Sequence, residues 1–159
     1  MKIRTDFVTN SSSSSFIIAY KDGELEQSIE KQVFNYCYEE KEDSSTRFSF
    51  VNTIISDIIN NNLSYEEICK EIVEELESKA FYQIICREKK GIDFYDTPEY
   101  EKRKQEYISE NLEELKKLLK DKNKFAKISY SDNDGHYFSI LEHDIVPELL
   151  ECITTFSHH

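Results

Sequence analysis

The stretch Phe16-Ile17-Ile18-Ala19-Tyr20 is a short apolar run bounded by Ser15 and by the polar turn residues Lys21, Asp22 and Gly23. A second run, Cys152 to Phe156, is apolar and β-branched, and a third, Phe125 to Ser131, alternates apolar with polar side chains. These patterns are typical of β-strands. Because such runs are buried only when they pair, they predict a small sheet assembled from the two ends of the chain.

The segment between these runs predicts helices. Apolar residues recur there at three- and four-residue spacing. Ser64 and Glu67 form a capping box, and Thr97 with Pro98 is typical of a helix start, with that last helix running to about Lys122. The apolar stripes of the four helices are Leu25, Ile29, Val33, Tyr36 and Cys37; Val51, Ile54, Ile55, Ile58 and Ile59; Ile68, Ile72, Leu76, Ala80 and Ile84; and Ile108, Leu112, Leu115 and Leu119. The sequence therefore predicts an α+β fold, a small sheet formed from the two chain termini and packed against a predominantly helical middle.

Length and composition favour one globular unit. The chain has 159 residues with 10 Phe and 10 Tyr, but only three glycines and two prolines, so it lacks a stretch with the composition of a linker. We expect a single domain over residues 1–159. The four cysteines, Cys37, Cys69, Cys86 and Cys152, form no Cys-x-x-Cys pair and are expected to be free thiols.

The charge restricts the partners. A net charge of −12 leaves no basic surface for phosphates, which argues against duplex nucleic acid and anionic membranes, and it favours a monomer or weak dimer. No run approaches the roughly 18 apolar residues of a membrane span. The first residues, interrupted by Asp6 and the serines, do not resemble a secretory signal, so we expect a cytoplasmic protein.

All four histidines lie in the last 24 residues, interleaved with acids. Imidazole and carboxylate are the ligands of catalytic zinc, iron and manganese sites. The spacing matches no known motif, and a surface Asp-Asn-Asp-Gly such as Asp132 to Gly135 is more often a solvated turn than a metal-binding loop. The candidate metal ligands are Asp132, Asp134, His136, Glu142, His143 and His158.

Two arrangements of this region have opposite consequences. In a crossover, the strand Phe125–Ser131 is followed by a helix from about Asp144, its capping residue, to Glu151, and Cys152–Phe156 returns parallel to the first strand. The candidate ligands then meet at the carboxyl edge of the sheet. In a hairpin, His136 to Leu141 is a return strand, and His143 lies roughly 20 Å from the turn at about 3.3 Å per residue.

The serine run Ser11, Ser12, Ser13, Ser14 and Ser15 also has two interpretations. It is either a flexible polar lead-in to the first strand or a site of modification or processing. No Gly-x-Ser-x-Gly motif surrounds it, which disfavours nucleophilic catalysis by a serine. His158 and His159 have an alternative origin as the remnant of an affinity tag.

The opening Arg4-Thr5-Asp6-Phe7-Val8-Thr9-Asn10, the serines and Phe16-Ile17 resemble an N-terminal segment shared by a group of uncharacterised bacterial proteins. Some of these also end in an acidic loop, a Glu-His pair and Ser-His-His. The resemblance covers about the first 20 and last 30 residues. It implies that the serines and the terminal histidines are native, and it implies no activity.

Two functions follow as hypotheses. The first is a divalent-metal-binding protein or metal-dependent hydrolase that uses Zn, Mn or Fe at the histidine-rich end of the chain. The second is a non-enzymatic acidic interaction module that docks on a basic protein partner. The segment Lys21 to Asp43, with three basic and eight acidic residues, suits the second hypothesis and also suits an ordinary solvated face.

Overall fold

The computed structural model describes residues 3–4 and 13–158. The strands are β1 (Ile3–Arg4), β2 (Ser13–Tyr20), β3 (Asn62–Leu63), β4 (Lys124–Tyr130) and β5 (Cys152–His158). The α-helices are α1 (Leu25–Glu39), α2 (Ser44–Asn60), α3 (Tyr65–Phe81), α4 (Pro98–Leu119) and α5 (His136–Ile140). The predicted α+β class is confirmed, with most of the sheet built from the two ends of the chain. The short edge strand β3, which was not predicted, comes from the middle of the chain.

The strands form one five-stranded sheet in the order β1-β5-β2-β4-β3. β2 lies between β4 and β5 and is antiparallel to both, so β4 and β5 run in the same direction on either side of it. The crossover arrangement is therefore confirmed and the hairpin is wrong. His136 to Leu141, the return strand of that hairpin, is helical because Gly135, at φ 112°, turns the chain into α5.

The contacts divide the chain into two compact units. The first combines the described residues up to Ile68 with those from Asp121 onward, and it holds the sheet. The second unit is Cys69–Lys120. The expectation of a single domain stays a prediction.

In the first unit, one face of the sheet carries the hydrophobic core. Alternate residues of β2 and β4 point into it, as the period of two in a strand requires. They pack with the buried stripes of α1 and α2 and with the segment that follows α5. The core residues contributed by the two strands are Phe16, Ile18, Tyr20, Ala126, Ile128 and Tyr130.

α2 begins seven residues before the predicted apolar stripe. Asp43 is its N-cap, and the Asp43 carboxylate accepts a hydrogen bond of 2.8 Å from the backbone N–H of Thr46. Ile54 and Ile58 are buried as predicted, whereas Ile59 is 56% exposed. The capping box is confirmed at the start of α3, where Glu67 N–H donates to Ser64 Oγ and Ser64 N–H donates to Glu67 Oε2.

The second unit contains most of α3, a π-helical segment at Tyr82–Arg87 and α4. Thr97 caps α4 by accepting from Tyr100 N–H, which confirms the predicted start of this helix. Arg103 binds both carboxylate oxygens of Glu88, with its shortest bond at 2.7 Å. Among the described residues, no helix has the length and apolar character that crossing a membrane requires.

Candidate metal site

The candidate site lies in the first unit, at the edge of the sheet where β4 ends. Ser131 follows β4 and caps a short 3₁₀ turn, Asp132–Asp134, by accepting a 3.2 Å hydrogen bond from Asn133 N–H. Gly135 then reverses the chain into α5. Asp132 is thereby held, exposed, at the end of the strand.

Glu142 and His143 lie on a π-helical segment, Leu141–Ile145, that continues α5. Buried Leu141 and Ile145 anchor this segment in the core, so the polar residues between them have a fixed position. A π turn has more residues than an α turn, which reduces the angle between neighbouring side chains, and such segments occur frequently at functional sites. The helix predicted over residues 144–151 is wrong in its bounds. Asp144 lies inside the π segment and is not a cap.

Asp132, Glu142 and His143 each offer one ligating atom, and these three atoms lie within 4.8 Å of one another. His143 Nε2 is 3.6 Å from Glu142 Oε2. Two ligands each about 2.1 Å from a tetrahedral metal ion would lie about 3.4 Å apart. The separation of the Glu142 and His143 atoms is therefore close to what a shared ion requires.

The three side chains differ sharply in exposure. The Glu142 side chain is fully buried, whereas 49% of the His143 side chain is exposed. Asp132 is also exposed. Solvent thus reaches the group from one side, and the buried carboxylate forms its inner wall.

A serine of β2 orients the buried carboxylate. Ser14 Oγ donates a 2.8 Å hydrogen bond to Glu142 Oε1 and lies 3.4 Å from Ser157 Oγ on β5. Glu142 Oε2 has no hydrogen-bond partner among the described residues. A buried carboxylate oxygen without a partner is costly, because burial removes the water that would otherwise bind it.

Three of the six predicted ligands are therefore brought together. Asp134 and His136 are exposed and lie outside the group. Asp134 instead lines a separate cleft of about 400 Å³ with Asp57, Asn61 and Tyr130. In that cleft, the Tyr130 hydroxyl donates to Asp57, and burial followed by this hydrogen bond raises the pKa of Tyr130.

His158 is also separated from the group. It pairs with Ser13 across β2 and β5, so its side chain lies on the sheet face of the odd-numbered β2 residues. His158 Nε2 is 3.0 Å from Ser15 Oγ, which is also 2.9 Å from Ser129 Oγ. Ser14 and Glu142 occupy the opposite face, the face of the core.

The serine run is part of the sheet at Ser13 to Ser15. Ser14 and Ser15 are both 4% exposed, so a modifying enzyme would need the strand to open. Ser11 and Ser12 lie outside the described residues. The role of Ser14 beside Glu142 was not predicted. The alternation of β2 could have indicated it, because Ser14 shares the parity of Phe16 and Ile18 and so faces the core side.

Comparison of the chain with protein-family models, with curated proteins and with solved structures finds no match.

Proposed function

We propose that this chain is a divalent-metal-binding protein with Asp132, Glu142 and His143 as its protein ligands. The observation that carries the proposal is Glu142 Oε2, a buried carboxylate oxygen with no hydrogen-bond partner among the residues that the structure describes, placed beside a histidine nitrogen and a second carboxylate. A cation bound there would satisfy that oxygen. It would also reduce the electrostatic cost of burying the Glu142 charge.

The ligand set favours a borderline or hard transition metal. One imidazole and two carboxylates suit Zn²⁺, Mn²⁺ or Fe²⁺, whereas thiolate-preferring ions such as Cu⁺ are disfavoured. Three protein ligands leave at least one coordination position for water, which is the arrangement of hydrolytic rather than structural zinc sites. A metal ion held there by Asp132, Glu142 and His143 would lower the pKa of a bound water and so supply a nucleophile for ester or amide hydrolysis, which supports a metal-dependent hydrolase as the activity of the site.

The hydrogen bond from Ser14 supports the same proposal. Metal-binding carboxylates are themselves hydrogen-bonded, and this outer contact fixes which oxygen faces the ion. Ser14 occupies Glu142 Oε1 and leaves Oε2 on the side of His143. The strand and the helix together therefore present the free oxygen to the site.

The test is metal binding by tag-free protein, measured by calorimetric titration with Zn²⁺, Mn²⁺ and, without oxygen, Fe²⁺. Asp132→Asn, Glu142→Gln and His143→Ala should each weaken binding by about tenfold or more, since even outer-shell changes have effects of that order. Free metal at about 100 times its Kd should raise the free energy of unfolding by about 2.7 kcal/mol.

Matched controls lie a few residues away in the same segment. Asp134→Asn and His136→Ala remove the same chemical groups from exposed positions outside the site. They should leave the affinity within about twofold. Equal losses in the site and control variants, or no saturable binding by the unmutated protein, would overturn the proposal.

A further inference from the structure

A groove of about 930 Å³ runs between α1 and α2 in the first unit. Its α1 wall is one stripe at helical spacing, from Glu26 to Phe34, and its α2 wall is a second stripe, from Ser44 to Ile55. At a rise of 1.5 Å per residue, the α2 wall is about 17 Å long. This length matches three turns of an α-helix. We call this surface the α1–α2 groove.

The groove is apolar at its centre. Val51 and Ile55 are partly buried against the core, whereas Phe48 is 70% and Phe34 is 49% exposed. Arg47 lies over the Phe34 ring with its guanidinium carbon 5.5 Å from the ring centroid. Exposed aromatic rings beside an arginine are typical of the centre of protein interfaces.

The surroundings of the groove are acidic. Glu26 and Glu30 line its α1 wall beside Lys31, and Arg47 lies on its α2 wall, so the charges of the lining itself balance. The connection between the two helices adds the acids Glu40, Glu42 and Asp43 against Lys41. The segment Lys21 to Asp43 carries a net charge of −5, from three basic and eight acidic residues. A second copy of the chain carries the same net charge of −12 over its whole sequence, so repulsion between the two copies disfavours self-association.

We propose that the α1–α2 groove binds an amphipathic helix of a protein partner, with lysine or arginine on the polar side of that helix. Apolar residues at i, i+4 and i+7 would contact Phe34, Phe48 and Val51, as in other helix-in-groove complexes. Basic residues flanking them would face Glu26 and Glu30. This surface lies apart from the candidate metal ligands and does not depend on them.

The experiment uses the full chain and fluorescein-labelled peptides of 16 residues, with binding followed by anisotropy. The first peptide places leucines at helical spacing among lysines, the second is the same composition scrambled, and the third replaces lysine with glutamate. The first peptide should bind saturably, with the affinity falling as salt rises. The scrambled and the acidic peptides should bind at least about tenfold more weakly.

Phe48→Ala should weaken binding of the first peptide about tenfold, as expected for truncation of a central aromatic contact. Leu150→Ala is the control, because Leu150 is 79% exposed and does not line the groove. Phe48 is itself largely exposed, so its replacement should preserve the fold. Equal binding of the scrambled peptide, or no effect of Phe48→Ala, would overturn the proposal. So would a dimer in sedimentation that Phe48→Ala abolishes, because the occupant would then be a second copy.

Discussion

Removal of the Ser14 hydroxyl tests how the buried Glu142 carboxylate is held. Ser14 Oγ donates at 2.8 Å to Glu142 Oε1, and Ser14 is only 4% exposed, so water cannot replace the lost donor without opening the sheet. A hydrogen bond to a charged group contributes about 1.5 to 3 kcal/mol. We therefore expect Ser14→Ala to lower the free energy of unfolding by about 2 kcal/mol, which corresponds to a decrease in Tm of about 4 to 8 °C for a chain of this size.

The assay is urea unfolding of metal-free protein followed by far-UV circular dichroism. A double-mutant cycle with Glu142→Met isolates the pair, because methionine has a similar volume and no charge. In the Glu142→Met background, Ser14→Ala should cost little, and the coupling energy should be about 1.5 to 3 kcal/mol. A cost of Ser14→Ala that is the same in both backgrounds would refute the reasoning.

Ser15→Ala is the matched control on the same strand. Its hydroxyl contacts Ser129 and His158 on the other face of the sheet. Ser15→Ala should show no coupling with Glu142→Met, because the two side chains share no partner. In metal titrations, Ser14→Ala should weaken binding by about tenfold or more, whereas Ser15→Ala should not.

Three further predictions concern stability. Phe50 is 1% exposed, and its ring stacks on that of Tyr137 with the two centroids 4.7 Å apart. Phe50→Ala should therefore lower the free energy of unfolding, measured with urea, by about 3 to 5 kcal/mol. Thr97→Ala should lower the free energy of unfolding by about 1 kcal/mol because it removes the cap of α4, whereas Thr97→Ser keeps the hydroxyl and should lose much less. The hydrogen bond from Thr46 N–H lowers the pKa of Asp43, so its stabilisation is present above the ordinary pKa of 3.8 and is lost as pH falls through the folded-state value. Asp43→Ala should therefore lower Tm at pH 7, with a difference that disappears in acid.

Much of the fold could be predicted from local patterns. The alternation and β-branching of the terminal runs indicated the strands, and Ser64 with Glu67 and Thr97 with Pro98 indicated helix starts, because caps and periodicity are local properties. The structure of the segment after β4 was harder to predict. The turn at Asp132 to Gly135 was recognised, but the helix that follows it was placed about eight residues too late, at Asp144 rather than His136. α5 and the π segment are short and are fixed by the packing of Leu141 and Ile145, so local patterns do not indicate their start.

The candidate site could be predicted only in part. Asp132, Glu142 and His143 were recognised by residue type and by the crossover, but residue type could not separate them from Asp134, His136 and His158. Which of the six residues come together depends on the face of the sheet that each side chain occupies and on its burial. Ser13 pairs with His158 in a register set by tertiary contacts, and this register places the histidine on the other face of the sheet.

The position of β2 between β4 and β5 has a consequence during synthesis. Ser14 lies 143 residues from its partner Ser157, so β2 stays without one of its two neighbours until the ribosome has made that distant segment. At about 5 to 20 residues per second, this delay is about 7 to 29 s. During it, the apolar strand Phe16 to Tyr20 is available to other chains or to chaperones. The hydrogen bond between Ser14 and Glu142 spans 128 residues, so it is likewise absent until the segment that contains Glu142 has been made, and metal binding at this site would require that segment.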